Sequence, residues 1–105
     1  MLTSKQRAYL TGLANHLSPV VSIGKNGVTP ETVQATEEAF NTQELIKGAV
    51  QKACLTEPAQ SAQMLAERTR SELVQVIGRK FILYRRSKEK PVIELPVRGK
   101  GQSVE

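Results

Sequence analysis

Cysteine, histidine and clustered carboxylates are nearly missing from this chain, and much chemistry is missing with them. Its 105 residues include one cysteine, Cys54, and one histidine, His16. A lone thiol forms no internal disulfide, and one Cys with one His leaves a zinc site short of ligands. This usage fits a reducing, cytoplasmic setting. There is no GxxxxGK[ST] phosphate loop, no GxSxG elbow and no metal-ligand spacing, and a triad built on His16 lacks partners. Glu37 and Glu38 are adjacent and project in different directions on a helix, so they do not form a working carboxylate pair. The chain is therefore read as a non-enzyme that needs neither cofactor nor metal. No window approaches the length of a membrane span, and "MLTSKQRAYLTGL" carries scattered charges instead of an apolar signal core. Neither export nor membrane insertion is expected.

What is present is ordinary globular material with a basic bias. Apolar residues make up 39% and charged residues 24%, enough for one small core and one domain. Fifteen Lys+Arg against ten Asp+Glu give a net charge of +5, which favours polyanions. Many proteins carry such an excess as a solvated face, so charge alone leaves nucleic-acid binding open. The bias grows toward the end: from Arg79 onward eight basic residues face three acidic ones.

Local signals order the elements. Thr3 and Gln6 match a capping box, and Leu10, Leu13, Ala14 and Leu17 recur at helical spacing, which predicts a first helix over 4–16 that stops before Pro19. Val20-Val21-Ser22-Ile23 reads as a buried strand. Thr29-Pro30-Glu31 gives an N-cap hydroxyl, a proline at the first helical position and an acid in the first turn. The second helix is expected to start there, with Val33 and Phe40 as core contacts. "ELIKGAVQKA" follows as a strand and 57–70 as a third helix, ending in a two-stranded hairpin in "LVQVIGRKFILYRR". Gly78-Arg79 suits a type II′ turn, which sets Ile77 against Lys80, Val76 against Phe81 and Val74 against Leu83. Val74, Val76, Phe81 and Leu83 would then share one face, with Leu73, Gln75, Ile82 and Tyr84 on the other. "PVIELP" would add a short edge segment. The expected fold is α/β in two layers, a mixed four-stranded sheet with three helices in the order α-β-α-β-α-β-β, over 1–96, with a flexible basic tail at 97–105.

The stretch "VVSIGKNGVTPETV" raises the functional question. Gly24 and Gly27 remove side chains where a strand turns into a helix, so the main chain of Gly24, Lys25, Asn26 and Gly27 can approach another backbone closely. Amide donors at a helix front, with the positive end of its dipole, attract phosphate oxygens. A GXXG loop in KH-type domains clamps about four nucleotides in this way. The plain alternative is that both glycines only permit a tight turn. Glu31 competes for the same dipole. Lys5, Arg7, Arg85 and Arg86 read from periodicity as solvated charges, Cys54 as a structural thiol, and Tyr84 as a residue filling the sheet.

Taken together, "LTSKQRAYLTGLANHLSPVVSIGKNGVTPETV", "ELIKGAV" and "VQVIGRKFILYRRSKE" resemble a single CRM domain of the bacterial YhbY type, from Leu2 to about Pro96. The segment "ERTRSELVQV" lacks the Thr-Gly that this family places before the third strand. The resemblance implies a fold like the C-terminal domain of translation initiation factor 3, and RNA binding without catalysis. Stand-alone bacterial members associate with precursors of the large ribosomal subunit, so large-subunit ribosomal RNA is the implied partner. Plant organellar relatives assist intron splicing. The family's loop falls on Gly24, Lys25, Asn26 and Gly27, and its basic surface on Lys5, Arg7, Lys47, Arg79 and Arg85. A different class remains in view, a protein-interaction module docking on a ribosomal protein without touching RNA.

Overall fold

The computed structural model describes residues 2–87, 91 and 93–96. The elements run α1 (Ser4–Ala14), β1 (Val21–Ile23), α2 (Pro30–Phe40), β2 (Leu45–Val50), α3 (Pro58–Thr69), β3 (Glu72–Ile77) and β4 (Lys80–Tyr84), the order expected. The capping signals act as written. Thr3 Oγ1 accepts the Gln6 amide at 3.1 Å while Gln6 Oε1 accepts the Thr3 amide at 2.9 Å. At α2 the same reciprocal pair forms between Thr29 and Thr32, with Pro30 entering the helix directly behind the cap. Helix α1 stops at Ala14, short of the expected His16, because Asn15 and His16 already turn toward β1.

The four strands form one mixed sheet in the order β1-β2-β4-β3. Strands β1 and β2 are parallel and joined by α2, whereas β4 lies antiparallel between β2 and β3. Val21, Ile23, Ile46, Val50, Phe81 and Leu83 point to one side, where Phe40 of α2 and Ala62, Leu65 and Ala66 of α3 close over them. The other side carries Leu45, Val74, Ile82 and Tyr84, covered by Leu10 and Ala14 of α1. Helices therefore pack on both faces, one layer more than the two expected. A four-stranded sheet this apolar on both sides cannot leave one open to water. Of the expected edge segment, residues 91 and 93–96 do not extend the sheet, and residue 92 lies outside the described residues. Ile93 and Leu95 lie against the α1 cluster, held by the Ile93 amide on Glu44 Oε1 (2.8 Å) and by Gln6 Nε2 on the Pro96 carbonyl (3.0 Å). The tail expected at 97–105 lies outside the described residues.

The hairpin corrects one register. Ile77 faces Lys80 and Val76 faces Phe81 as expected, but Leu83 is opposite Leu73, not Val74, because the ladder shifts between Leu73 and Gln75. This β-bulge turns Val74 to the α1 side and Leu73 to the α2/α3 side, exchanging the two faces assigned to them. At the turn Gly78 has φ 61°, and Arg79 is not among the residues with positive φ, which fits type II′ and excludes type I′. Within β2, Gly48 lies under the Phe81 ring, and a Cβ there would stand 2.2 Å from the ring's Cζ.

Candidate nucleic-acid interface

Strand β1 ends at Ile23, whose carbonyl takes the Gln51 amide at 2.8 Å and so ties the exit of β1 to the exit of β2. The chain then reverses over Gly24-Lys25-Asn26-Gly27, closed by the Gly27 amide on the Gly24 carbonyl at 3.0 Å. Gly27 has φ 74°, a left-handed conformation that an L side chain resists. Gly24 is different. Its φ lies outside that region, and an added Cβ would meet only the Gln51 side chain, at an ordinary 3.5 Å from Oε1. The protein's own packing asks for glycine at 27 but not at 24, so the bare main chain at Gly24 is available to something outside the fold.

Lys25 and Asn26 are exposed at the tip, and their amides donate to nothing among the described residues. The helix behind them contributes less than expected. Of the first donors of α2, the Thr29 and Thr32 amides are taken by each other's hydroxyls, and Pro30 has none. The dipole of α2 still points at the turn, with Glu31 in its first turn opposing it. Donors for an anion are thus found at the turn's tip more than at the helix front.

Arg79 joins this end of the sheet. Its carbonyl accepts the Val50 amide at 2.7 Å, and its guanidinium donates to the Gln51 carbonyl at 3.4 Å. Gln51 in turn donates from Nε2 to Ser22 Oγ at 2.9 Å. Hairpin, β2 exit and glycine turn are therefore one surface. Exposed Lys52, next to Gln51, and Lys80, in register with Ala49, belong to it as well. Sequence reasoning passed over both, although each borders a strand end; only the register shows that those ends coincide. Lys47, paired with Ile82, lies half-buried farther along β2 on the α1 side.

The remaining basic candidates are placed elsewhere. Lys5 is exposed on α1. Arg7 is turned inward, its guanidinium donating to the Leu73 and Val74 carbonyls at the bulge. Arg85 sits past the other end of β4. It pairs with Glu37 at 2.8 Å, donates to the Thr69 carbonyl at 2.8 Å and lies 4.6 Å from the centroid of the Phe40 ring. The structure therefore joins Gly24, Lys25, Asn26, Gly27 and Arg79, leaves Lys47 farther along β2, and separates Arg85 from them by the length of the sheet. Among the described residues no group of His, Cys, Asp and Glu could hold a metal ion, and no helix is long and apolar enough to cross a membrane.

Known proteins share this sequence and shape. The chain is 42% identical over 96 residues to the probable RNA-binding protein YqeI of Bacillus subtilis, covering 91% of this chain and all of that one. It is 40% identical over 95 residues to a protein of Haemophilus influenzae named RNA-binding protein, covering 90% of this chain and 95% of that one. The solution structure of SAV1595 from Staphylococcus aureus, for which RNA binding has been put forward, superposes with a TM-score of 0.79 at 43% identity, covering 91% of this chain and all of that one. These relatives are named for RNA and not for any reaction. Residues 2–85 match the CRS1/YhbY (CRM) domain, and the chain belongs to that family.

Proposed function

We propose that this protein binds RNA, holding a sugar-phosphate strand against the main chain of Gly24–Gly27, with Lys25 and Arg79 supplying charge and Asn26 a polar contact. The observation that carries the reading is Gly24, a glycine that neither backbone strain nor internal packing requires, beside unpaired amides at Lys25 and Asn26. A missing side chain at that point makes sense if a second backbone comes close. Lys47 and Lys5 extend the basic surface for the same strand. The RNA is ribosomal RNA in precursors of the large subunit, and binding takes place in the cytoplasm. Family membership and the names of the relatives support RNA as the partner; the ribosomal target rests on the resemblance to the stand-alone bacterial members.

The test is Lys25→Ala combined with Gly27→Asp, since aspartate tolerates left-handed φ while adding a repelling charge. The double variant should keep its circular dichroism spectrum and lose affinity for single-stranded RNA. Log Kd of the parent protein should rise steeply with log salt, by about 0.7 per phosphate contacted. Undiminished binding by the folded variant would remove the turn from the interface. Crosslinking in cells, with sequencing of the bound RNA, should recover large-subunit ribosomal RNA. Association with a ribosomal protein that survives moderate salt and loss of Lys25 would favour the docking-module reading instead.

A further inference from the structure

The end of the sheet away from the glycine turn carries its own cluster of arginines. Arg70 closes α3 in a left-handed conformation (φ 55°), and among the described residues it is the only non-glycine with positive φ. This is where the chain departs from the family's Thr-Gly. Arg85 and Arg86 follow β4, and the three arginines line two adjoining clefts, of about 650 Å³ and 380 Å³. Arg85 is committed to Glu37, Thr69 and Phe40. Arg70 and Arg86 are exposed, and neither forms an ion pair among the described residues.

A buried hydroxyl lies beside them. Tyr84 walls the smaller cleft with Arg70 and Arg86, it is 4% exposed, and its Oη has no hydrogen-bond partner among the described residues. Burial and the charge of Glu44 push its pKa up against the opposing pull of Arg86, so at neutral pH it is a proton donor without an acceptor. Carboxylates face the region too. Glu72 shares the smaller cleft, Glu37 is held by Arg85, and Glu44 is buried and accepts the Ser87 and Ile93 amides. Among the described residues, two guanidiniums without an ion pair, Arg70 and Arg86, still exceed the one such carboxylate lining the smaller cleft, Glu72.

A strained arginine where glycine fits better, and an orphan hydroxyl, both cost stability and both border one cleft. A ligand with several acceptor oxygens and negative charge would satisfy the donors together. We propose that Arg70, Arg86 and the Tyr84 hydroxyl form a second phosphate site, which grips the same RNA strand at the end of the domain opposite the glycine turn. This rests on the RNA-binding reading above. The six-residue step from Val50 to Glu44 spans roughly 20 Å at about 3.3 Å per residue. At the ~3.4 Å phosphate spacing of a stacked strand this is on the order of six nucleotides. An RNA of about four nucleotides, the length one such loop holds, reaches only one site, whereas one of about sixteen reaches both.

Arg70→Gly combined with Arg86→Ala tests the proposal without risking the fold, because glycine relieves the left-handed strain. The variant should melt no lower than the parent and bind a single-stranded RNA of about four nucleotides equally well. It should bind one of about sixteen at least about tenfold more weakly, with a salt slope smaller by about 1.4 for two lost contacts. Tyr84→Phe should also weaken only the longer RNA. Equal affinity for the longer RNA overturns the proposal, and so does an equal loss at both lengths, which would mark a diffuse charge effect. Should inorganic phosphate perturb the amide resonances of Arg70 and Arg86 in the parent while the variant keeps its affinity for the longer RNA, the cleft serves a small anion and the RNA assignment fails. If the parent binds neither RNA, the reading beneath the proposal fails first, a separate outcome.

Discussion

Replacing Gly24 and Gly27 one at a time by alanine separates what the turn needs from what its ligand needs. At Gly24 the new methyl would sit 3.5 Å from Gln51 Oε1, an ordinary contact, with φ in a region any residue adopts. Folding loses nothing there, and the unfolded chain loses freedom, so stability should hold or rise by about 0.4–1 kcal/mol. At Gly27 the φ of 74° makes alanine strained, at a cost of about 1–2 kcal/mol. For a domain near this size each kcal/mol moves Tm by about 4–8 °C, so the two variants should melt on opposite sides of the parent or nearly so. Binding should not follow stability. The methyl at Gly24 stands where an RNA backbone is proposed to approach, and loss of even one charge-assisted hydrogen bond, about 1.5–3 kcal/mol, weakens binding at least about tenfold. Thermal melts by circular dichroism and anisotropy of a labelled single-stranded RNA at fixed salt give both quantities. A Gly24→Ala protein that melts like the parent and binds RNA equally well would refute the close-approach argument.

Gly48→Ala puts a Cβ within 2.8 Å of three carbons of the Phe81 ring, itself 1% exposed, and should cost about 1–3 kcal/mol by overpacking, read as a lowered denaturant midpoint. Arg85→Ala removes the Thr69 contact, the partly screened Glu37 pair and the packing on Phe40, for a loss of about 1–3 kcal/mol in urea titration. Tyr84→Phe removes a buried hydroxyl with no partner among the described residues, so stability at neutral pH should hold or improve. It should also flatten the alkaline limb of the stability curve. A folded pKa above the usual 10.0 keeps a proton that the unfolded chain has released, so the parent's stability falls as pH rises beyond 10.0, and a pH series of melts shows whether that slope belongs to Tyr84.

What could be read from the sequence was what neighbours in the chain decide. Thr3 with Gln6, Thr29 with Pro30, and Gly78 with Arg79 each settle a cap or a turn within four residues, and each stands where expected. The bulge at Val74 could not be read, because Leu73 and Val74 are both apolar and either suits either face. The second covered face was equally hidden, since an amphipathic α1 shows that it packs but not on which side of the sheet. The candidate site divides the same way. The glycine turn is contiguous and was legible as a pattern, whereas the fates of Arg7 and Arg85 depend on carbonyls 66 and 16 residues distant. Composition counts those two arginines toward the basic surface, but the fold uses them for its own main chain.

That internal use bears on how a phosphate would be held. A helix front behind a glycine turn ordinarily offers free amides to an anion, and the dipole strengthens the attraction. In α2 the Thr29–Thr32 box and Pro30 leave only the Glu31 amide at that front, and the Glu31 carboxylate reduces the field. What is left is mainly the turn itself: two amides at Lys25 and Asn26 and the bare Cα of Gly24, held because Gly27 bonds back to Gly24 and Gln51 anchors the exit of β1. Such a surface can follow the contour of a backbone but supplies little charge of its own. Affinity must then come from cations around it, Lys25, Lys52, Arg79 and Lys80, so binding should depend on salt more steeply than the size of the turn alone would suggest.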